Sequence, residues 1–363
     1  MNLDRRGFLS GMIGFGAVAL SPRTGAGKES ACSGGLKRLG PIITDWEYRR
    51  NSALSGRCAA MYIDDVIWLF RDLTRQRPKS MFEHPFLATL KSAHDRYGLK
   101  VQLNCFYRTD VFYGMDEFSL AEMTAAYKGE WQASKDWLRL GFHAYQEFPD
   151  YPFINASYDD VAKVFDRICG EVRRFAGDGV FAFALVGHWL PVSKAGCRAL
   201  KDRGVKLIAS TDGTRYEYGG DRSVLPYGHA MRVESNRTPE CALYRREAYQ
   251  SALISSACSY NHVTGEQNSK MAGRFDYLHD RDLGVGFKRF RSGPMINLCP
   301  LDKIPEEMAE AADCELLAFA DHEQYFYRDY FAYQPDHAER ILLTAKIAHN
   351  QGRRYIFIED LVA

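Results

Sequence analysis

The residues best equipped for chemistry stand in short clusters. Asp64 and Asp65 are adjacent acids in the run Tyr62-Ile63-Asp64-Asp65. Two neighbouring carboxylates repel each other, which raises one pKa unless a cation intervenes. A second cluster is Gly141-Phe142-His143-Ala144-Tyr145-Gln146-Glu147. His143 and Glu147 are separated by one helical repeat, so both side chains can face one point on a helical turn or compact loop. Asp65, His143 and Glu147 are therefore the expected ligands of a divalent metal such as zinc, with positions left open for water. Such a metal lowers the pKa of bound water and polarises a carbonyl. In an ordinary loop the same side chains would be solvated charges.

The elements that must position these groups follow from hydrophobic patterning. Apolar runs at Ala59–Ile63, Lys100–Phe106, Trp137–Phe142, Val180–Val186, Val205–Ala209, Pro294–Leu298, Leu316–Ala320 and Arg354–Ile358 read as strands. Most are near-continuous rather than alternating, as expected of parallel strands buried on both faces. Helical patterns separate them at His84–Tyr97, Met123–Ser134, Tyr158–Phe175, Lys194–Arg203, Pro305–Ala312 and Asp336–Asn350. Ser157 is placed to cap the third, and Gly98, Gly204 and Gly352 fall just past helix ends. This repetition predicts an α/β fold with a parallel sheet or barrel. The stretch from Thr211 to Phe290 breaks the rhythm and reads as a long insertion, about 211–290, walling a cleft.

Polar residues recur where the strands end. Asp64-Asp65 follow the first, Tyr107-Arg108 the second, His143 the third and His188 the fourth. Thr211-Asp212 follow the fifth and His322-Glu323 the seventh. In parallel barrels the active site lies at the carboxyl ends of the strands.

The first residues read as an address. Arg5-Arg6-Gly7-Phe8-Leu9, ahead of a mildly apolar Gly- and Ala-rich stretch, resembles a twin-arginine export signal. Residues 1–35 are expected to be that signal and a linker. Residues 36–363 are expected to form one domain, working in the periplasm or outside the cell. No stable membrane insertion is expected once the signal is cleaved. The nine cysteines form no Cys-x-x-Cys pair, which argues against a structural zinc knuckle. Cys105, Cys169 and Cys299 lie in apolar runs and read as buried thiols.

Composition narrows the partners. Lys plus Arg total 47 and Asp plus Glu 46, so the net charge of +1 offers no footprint for nucleic acid. Aromatic content is 13%, enough to supply both a core and surfaces that stack on flat rings.

The order and spacing of these clusters resemble the polysaccharide (chitooligosaccharide) deacetylases. Asp64-Asp65 resembles their first motif, Thr-Phe-Asp-Asp. The segment from His143 resembles their second, a His followed four residues later by another His; here Glu147 takes that second place. Gly187-His188-Trp189-Leu190-Pro191 stands roughly where their Arg-x-Pro-Tyr-type motif would be, and their Asp-Trp motif has no clear counterpart. The resemblance implies an irregular parallel (β/α)7–8 barrel of the glycoside hydrolase/deacetylase type. It also implies a carbohydrate substrate, an acylated amino sugar or another acylated sugar. By it, Asp64 is the general base, Asp65 and His143 bind metal, and His322 is the general acid. Tyr145, Trp189 and Tyr325 would then stack on sugar rings, with Arg108, His188 and Asp212 as polar substrate contacts. A glycoside hydrolase using paired carboxylates on the same barrel, and a carbohydrate-binding protein without catalysis, remain the two alternatives.

Overall fold

The computed structural model describes residues 37–38, 42–110, 117–148, 151–213, 216–217, 259–330 and 332–362. The expected leader, residues 1–35, lies outside the described residues. So does most of the segment between Gly213 and Ser259.

Ten strands form two five-stranded sheets. They are β1 (Trp46–Arg49), β2 (Cys58–Val66), β3 (Val101–Phe106), β4 (Leu138–Ala144), β5 (Ala184–Leu185), β6 (Leu207–Ala209), β7 (Tyr277–Asp280), β8 (Val285–Lys288), β9 (Leu316–His322) and β10 (Arg354–Tyr355). The first sheet is parallel throughout, in the order β9-β2-β3-β4, with β10 also paired to β2. The second runs β1-β7-β8-β6-β5. Its β8-β6 and β6-β5 pairs are parallel, and its β1-β7 and β7-β8 pairs are antiparallel. Single bridges continue the parallel pattern between Leu140 and Phe181 and between Met295 and Ala320.

Among the described residues, eight helices pack around these strands: α1 (Trp68–Gln76), α2 (Pro85–Tyr97), α3 (Lys128–Ser134), α4 (Tyr158–Phe175), α5 (Lys194–Asp202), α6 (Gly265–Met271), α7 (Ile304–Glu310) and α8 (His337–Asn350). α4 shows how sequence makes such an element. Ser157 accepts a hydrogen bond from the Asp160 amide, and the Asp160 carboxylate accepts one back from the Ser157 amide. Val161, Phe165, Ile168, Cys169, Val172 and Phe175 then recur at helical spacing and are all buried. Burial of each large side chain contributes roughly 1.5–3 kcal/mol. Gly98 ends α2 in the left-handed conformation, φ 72°, that glycine adopts without steric cost.

β2 explains the two-sided core. All its residues are buried. Ala59, Met61 and Ile63 join the larger core with helix residues such as Phe70, Phe86 and Trp131. The alternate residues Cys58, Ala60 and Tyr62 join a second core with Ala184, Ala209, Ala318 and Ala320. Small residues line this inner face because strands from both sheets converge on it.

Three expectations change here. β7 and β8 belong to the second sheet although they fall within the stretch read as an insertion; their short, partly polar sequences hid them. Val180–Val186 keeps strand geometry only at Ala184–Leu185, and Pro294–Leu298 keeps one bridge, because Pro294 cannot donate to a ladder. α1 adds a helix that its sequence does not signal, since its start carries no side-chain cap of its own. Cys105, Cys169 and Cys299 are buried free thiols, as expected. Among the described residues, no helix is long and apolar enough to cross a membrane.

Candidate metal centre

The end of β2 is bent where the two acids stand. Its register against β3 shifts between Ile63 and Val66, and Asp65 has φ 64°. In a regular strand, neighbouring side chains point to opposite faces. The left-handed residue cancels that alternation, at a modest cost that Asp tolerates better than most residues. Both carboxylates therefore reach one imidazole. Asp64 Oδ1 lies 3.8 Å from His143 Nδ1, and Asp65 Oδ1 lies 3.0 Å from His143 Nε2.

His143 and His188 complete the centre. His143 Nδ1 lies 2.7 Å from the Val186 carbonyl oxygen, and His188 Nε2 lies 2.8 Å from the Glu147 carbonyl oxygen. A carbonyl can only accept, so both of these outer nitrogens carry hydrogen. The inner nitrogens, His143 Nε2 and His188 Nδ1, are then lone-pair donors 3.1 Å apart. His188 Nδ1 is also 3.4 Å from Asp65 Oδ1. Two lone pairs and a carboxylate oxygen in such proximity call for a proton or a cation between them. A tetrahedral ion with metal–ligand distances of about 2.0–2.1 Å separates its donors by about 3.3 Å. Asp65, His143 and His188 thus fit a divalent metal, and all three are buried. Phe106 packs against both imidazoles, with ring centroids 5.1 and 5.0 Å away, and fixes their planes.

This arrangement revises the expected ligand set. His188 supplies the third donor rather than a substrate contact, and Glu147 stands outside the cluster. The reason is local: His143 lies inside β4, not on a helical turn, so the spacing to Glu147 does not put both on one face. Glu147 instead serves His188 through its backbone carbonyl, and its Oε1 lies 3.9 Å from His188 Nε2.

Comparisons with known proteins leave the chain without an assigned family. No protein-family model matches it, and no curated protein does. Among solved structures it is similar to the Xyl-CE4 domain of a multidomain xylanase from the hindgut metagenome of Trinervitermes trinervoides. The identity is 10%, the match covers 85% of this chain and 90% of that one, and the TM-score is 0.33. What the centre can do chemically follows from its own donors.

Electrostatics separates the two acids. Burial resists ionisation of Asp65, but a proton shared with the inner nitrogens of His143 and His188 outweighs it and holds its carboxyl well below the usual range. Burial raises the pKa of Asp64 and outweighs the nearby His143 and His322 rings and the hydrogen bond from Asn104 Nδ2 at 2.7 Å, all of which favour its charge. Asn104 is itself held by Gln102, 2.7 Å away. Gly141, opposite Asn104 on β4, leaves room for this polar pair; a Cβ there would sit 2.7 Å from both amides. Asn104 and Gln102 were detectable in sequence as two polar residues on one face of an otherwise apolar strand.

His322 stands at the rim, at the end of β9. Its Nε2 is 3.9 Å from Asp65 Oδ2, and its Nδ1 is 3.1 Å from Asn297 Oδ1. Asn297 thereby turns Nε2 toward the centre, and Gln334 holds Asn297 by donating to its backbone oxygen at 2.6 Å. The expected sugar contacts are more dispersed. Tyr325 stacks near His337 and meets Tyr330 edge-on. Trp189 packs on Tyr151 beside His188. Tyr145 stacks on Tyr107 under the Arg167 guanidinium, and Arg108 binds the Thr109 carbonyl and Glu117. The backbone of Asp212 lies in a short strand paired with His262–Thr264, and its side chain is outside the described residues.

Proposed function

We propose that this chain is a metal-dependent hydrolase that removes acyl groups from carbohydrate, with zinc as its cation. The observation that carries the proposal is the pair of inner nitrogens of His143 and His188 facing Asp65 Oδ1, with both outer nitrogens committed to carbonyls. A divalent ion held there supplies Lewis acidity to an acyl carbonyl and to water. The chain's own residues do the proton work. Asp64, buried and raised in pKa, takes a proton from the attacking water. The water oxygen bonds to the acyl carbon. The bond from that carbon to the sugar nitrogen or oxygen then breaks, and His322, entering the step as the imidazolium with its Nδ1–H held by Asn297, delivers the Nε2 proton to the leaving atom. Tyr325 beside His322 and Trp189 beside His188 are the half-buried aromatics next to these groups and the candidates to meet a sugar ring.

Further support for the deacetylase-like reading comes from the strand ends. Residues 292–296 continue from β8 and bond to β9 through the Ser292 amide to the Ala318 oxygen and the Ile296 amide to the Ala320 oxygen, each 2.8 Å. These bonds favour one irregular β/α barrel spanning both sheets, with the metal centre at its carboxyl-end mouth. Export through the twin-arginine pathway belongs to the same proposal. Fusing residues 1–35 to a reporter and substituting Arg5 and Arg6 by Lys tests it: the reporter reaches the periplasm only with the arginines.

The main test incubates the zinc-loaded protein with acetylated and plain oligosaccharides, reading released acetate and new reducing ends. Acetate release that stops on chelation and returns with zinc is expected. Reducing ends without acetate would move the assignment to glycoside hydrolysis.

A further inference from the structure

α1 begins three residues after Asp65 has bent the chain, and it begins without help from its own sequence. Ile67, at its cap position, makes no side-chain capping bond, and its first turn holds no acid. Its orphan amides are instead taken by a residue from the other end of the chain. Glu323 Oε2 accepts from the Ile67 amide at 2.7 Å and the Trp68 amide at 3.0 Å, and Oε1 accepts from the Leu69 amide at 2.7 Å. Tyr327 donates its hydroxyl to Oε1 at 3.0 Å. Glu323 is completely buried, so this carboxylate is a fixed post rather than a surface charge. A carboxylate at a helix N-terminus satisfies both the free amides and the helix dipole.

The next residue acts on Asp65 itself. Gln324 Nε2 donates to Asp65 Oδ2 at 2.7 Å. That bond occupies the oxygen that faces away from the two histidines. Asp65 Oδ1 is left as the oxygen beside His143 and His188. Glu323 thus fixes the backbone just after Asp65, and Gln324 fixes its carboxylate.

We propose that Glu323 and Gln324 are positioning residues for the metal centre: they lock the left-handed Asp65 so that it offers a single oxygen, Oδ1, to the cation. This inference rests on the metal reading above. A freely rotating Asp65 could swing Oδ1 off the histidines or bind through both oxygens. With Oδ2 tied to Gln324, one-oxygen ligation is built into the fold before any cation arrives. Partners of this kind typically contribute about 10–100-fold in metal affinity.

The test uses the full chain, stripped and reloaded with zinc or cobalt(II). Zinc affinity is measured by chelator competition, ligand geometry by the visible absorption of cobalt(II), and metal-free stability by thermal unfolding. Wild type is expected to bind one ion and Asp65→Ala none. Gln324→Leu removes the donor at similar volume. It is expected to weaken zinc by about 10–100-fold and shift the cobalt(II) bands, with metal-free stability lowered by less than in Glu323→Ala, since one hydrogen bond is lost rather than four. Glu323→Ala is expected to weaken zinc and also lower metal-free stability; should it fail to fold, Gln324→Leu decides alone. Wild-type binding with unchanged affinity and spectrum in Gln324→Leu overturns this proposal and leaves the metal reading intact. Failure of the wild type to bind either ion overturns both.

Discussion

His143 and His188 point their inner nitrogens at each other across 3.1 Å, and each spends its outer N–H on a backbone carbonyl. The pairing makes both rings acceptors toward the same point. It also sets a sharp contrast with Glu147, whose carboxylate lies outside the cluster although it follows His143 closely in sequence.

Removing each side chain in turn separates a donor from its orienting partner. His188→Ala should abolish binding of zinc at micromolar protein, because two donors remain where three are needed. Glu147→Ala keeps the backbone carbonyl that orients His188, so zinc affinity should fall by less than the about 10–100-fold that loss of such an orienting partner costs. Calorimetric titration of both variants checks this. Equal losses in the two would place Glu147 among the ligands.

The acids and His143 were legible from sequence because adjacent carboxylates at a strand end are rare and imidazoles at strand ends recur. His188 was legible as a polar residue after a strand, but its role was not. Its approach to His143 depends on how the Val180–Val186 run breaks down to Ala184–Leu185 and on the left-handed Trp189 and Leu190, φ 60° and 74°. Neither follows from local preference, since both residues ordinarily avoid that region. The parallel sheet was legible for the opposite reason: β2, β3, β4 and β9 are buried on both faces, and continuous apolar runs report that directly. β7 and β8 were hidden because tertiary pairing, not composition, makes them strands. Gln324 and Asn297 were invisible as site residues. An amide side chain carries no charge pattern, and only its neighbours in space give it a function.

Metal binding should depend on pH in a direction set by His143. Burial opposes its protonation, but Asp64 and Asp65 outweigh burial and raise its pKa above the ordinary 6.5. Burial instead lowers the pKa of His188, which stays neutral to lower pH. A metal needs both rings neutral, so it must displace the proton from His143. Apparent zinc affinity should therefore be full well above pH 6.5 and begin to fall before pH 6.5 is reached from above. Calorimetry in buffers of differing ionisation heat should show net proton release on zinc binding that grows as the pH falls through neutrality. Affinity that stays flat down to pH 5.5 would count against this account.

Asn297 should govern which nitrogen of His322 carries its proton. Its Oδ1 holds Nδ1, so the ring presents Nε2 toward Asp65. Asn297→Leu removes the acceptor at similar volume and leaves the three metal donors untouched. Nitrogen-15 NMR of histidine-labelled protein should show a change of tautomer at His322, with zinc affinity within about threefold of wild type. If the reaction is as proposed, the variant should lose turnover rather than substrate binding, since a misdirected acid acts in the transition state.

Lys288 offers a stability test far from any proton chemistry at the metal. It is almost fully buried in β8, and its Nζ donates to the carbonyls of Met271, Arg274 and Asp276 at 2.8, 2.8 and 2.7 Å. One ammonium thus ties the end of α6 to the turn leading into β7, a favourable place for a cation. Lys288→Met keeps the aliphatic volume and removes all three donors. Each orphaned carbonyl costs about 1–3 kcal/mol when dry, and water can reach part of this cage, so a net loss of about 3 kcal/mol is expected in urea unfolding. Burial also depresses the Lys288 pKa from 10.5 to about 7. The unfolded chain then binds more protons than the folded one between about pH 7 and 10.5, so this group adds stability as pH rises through that window. The gap between wild type and Lys288→Met should accordingly be wider at pH 9 than at pH 7. A gap that stays constant would mean that the three carbonyls hold the ammonium fully charged, and that they offset the cost of burying it.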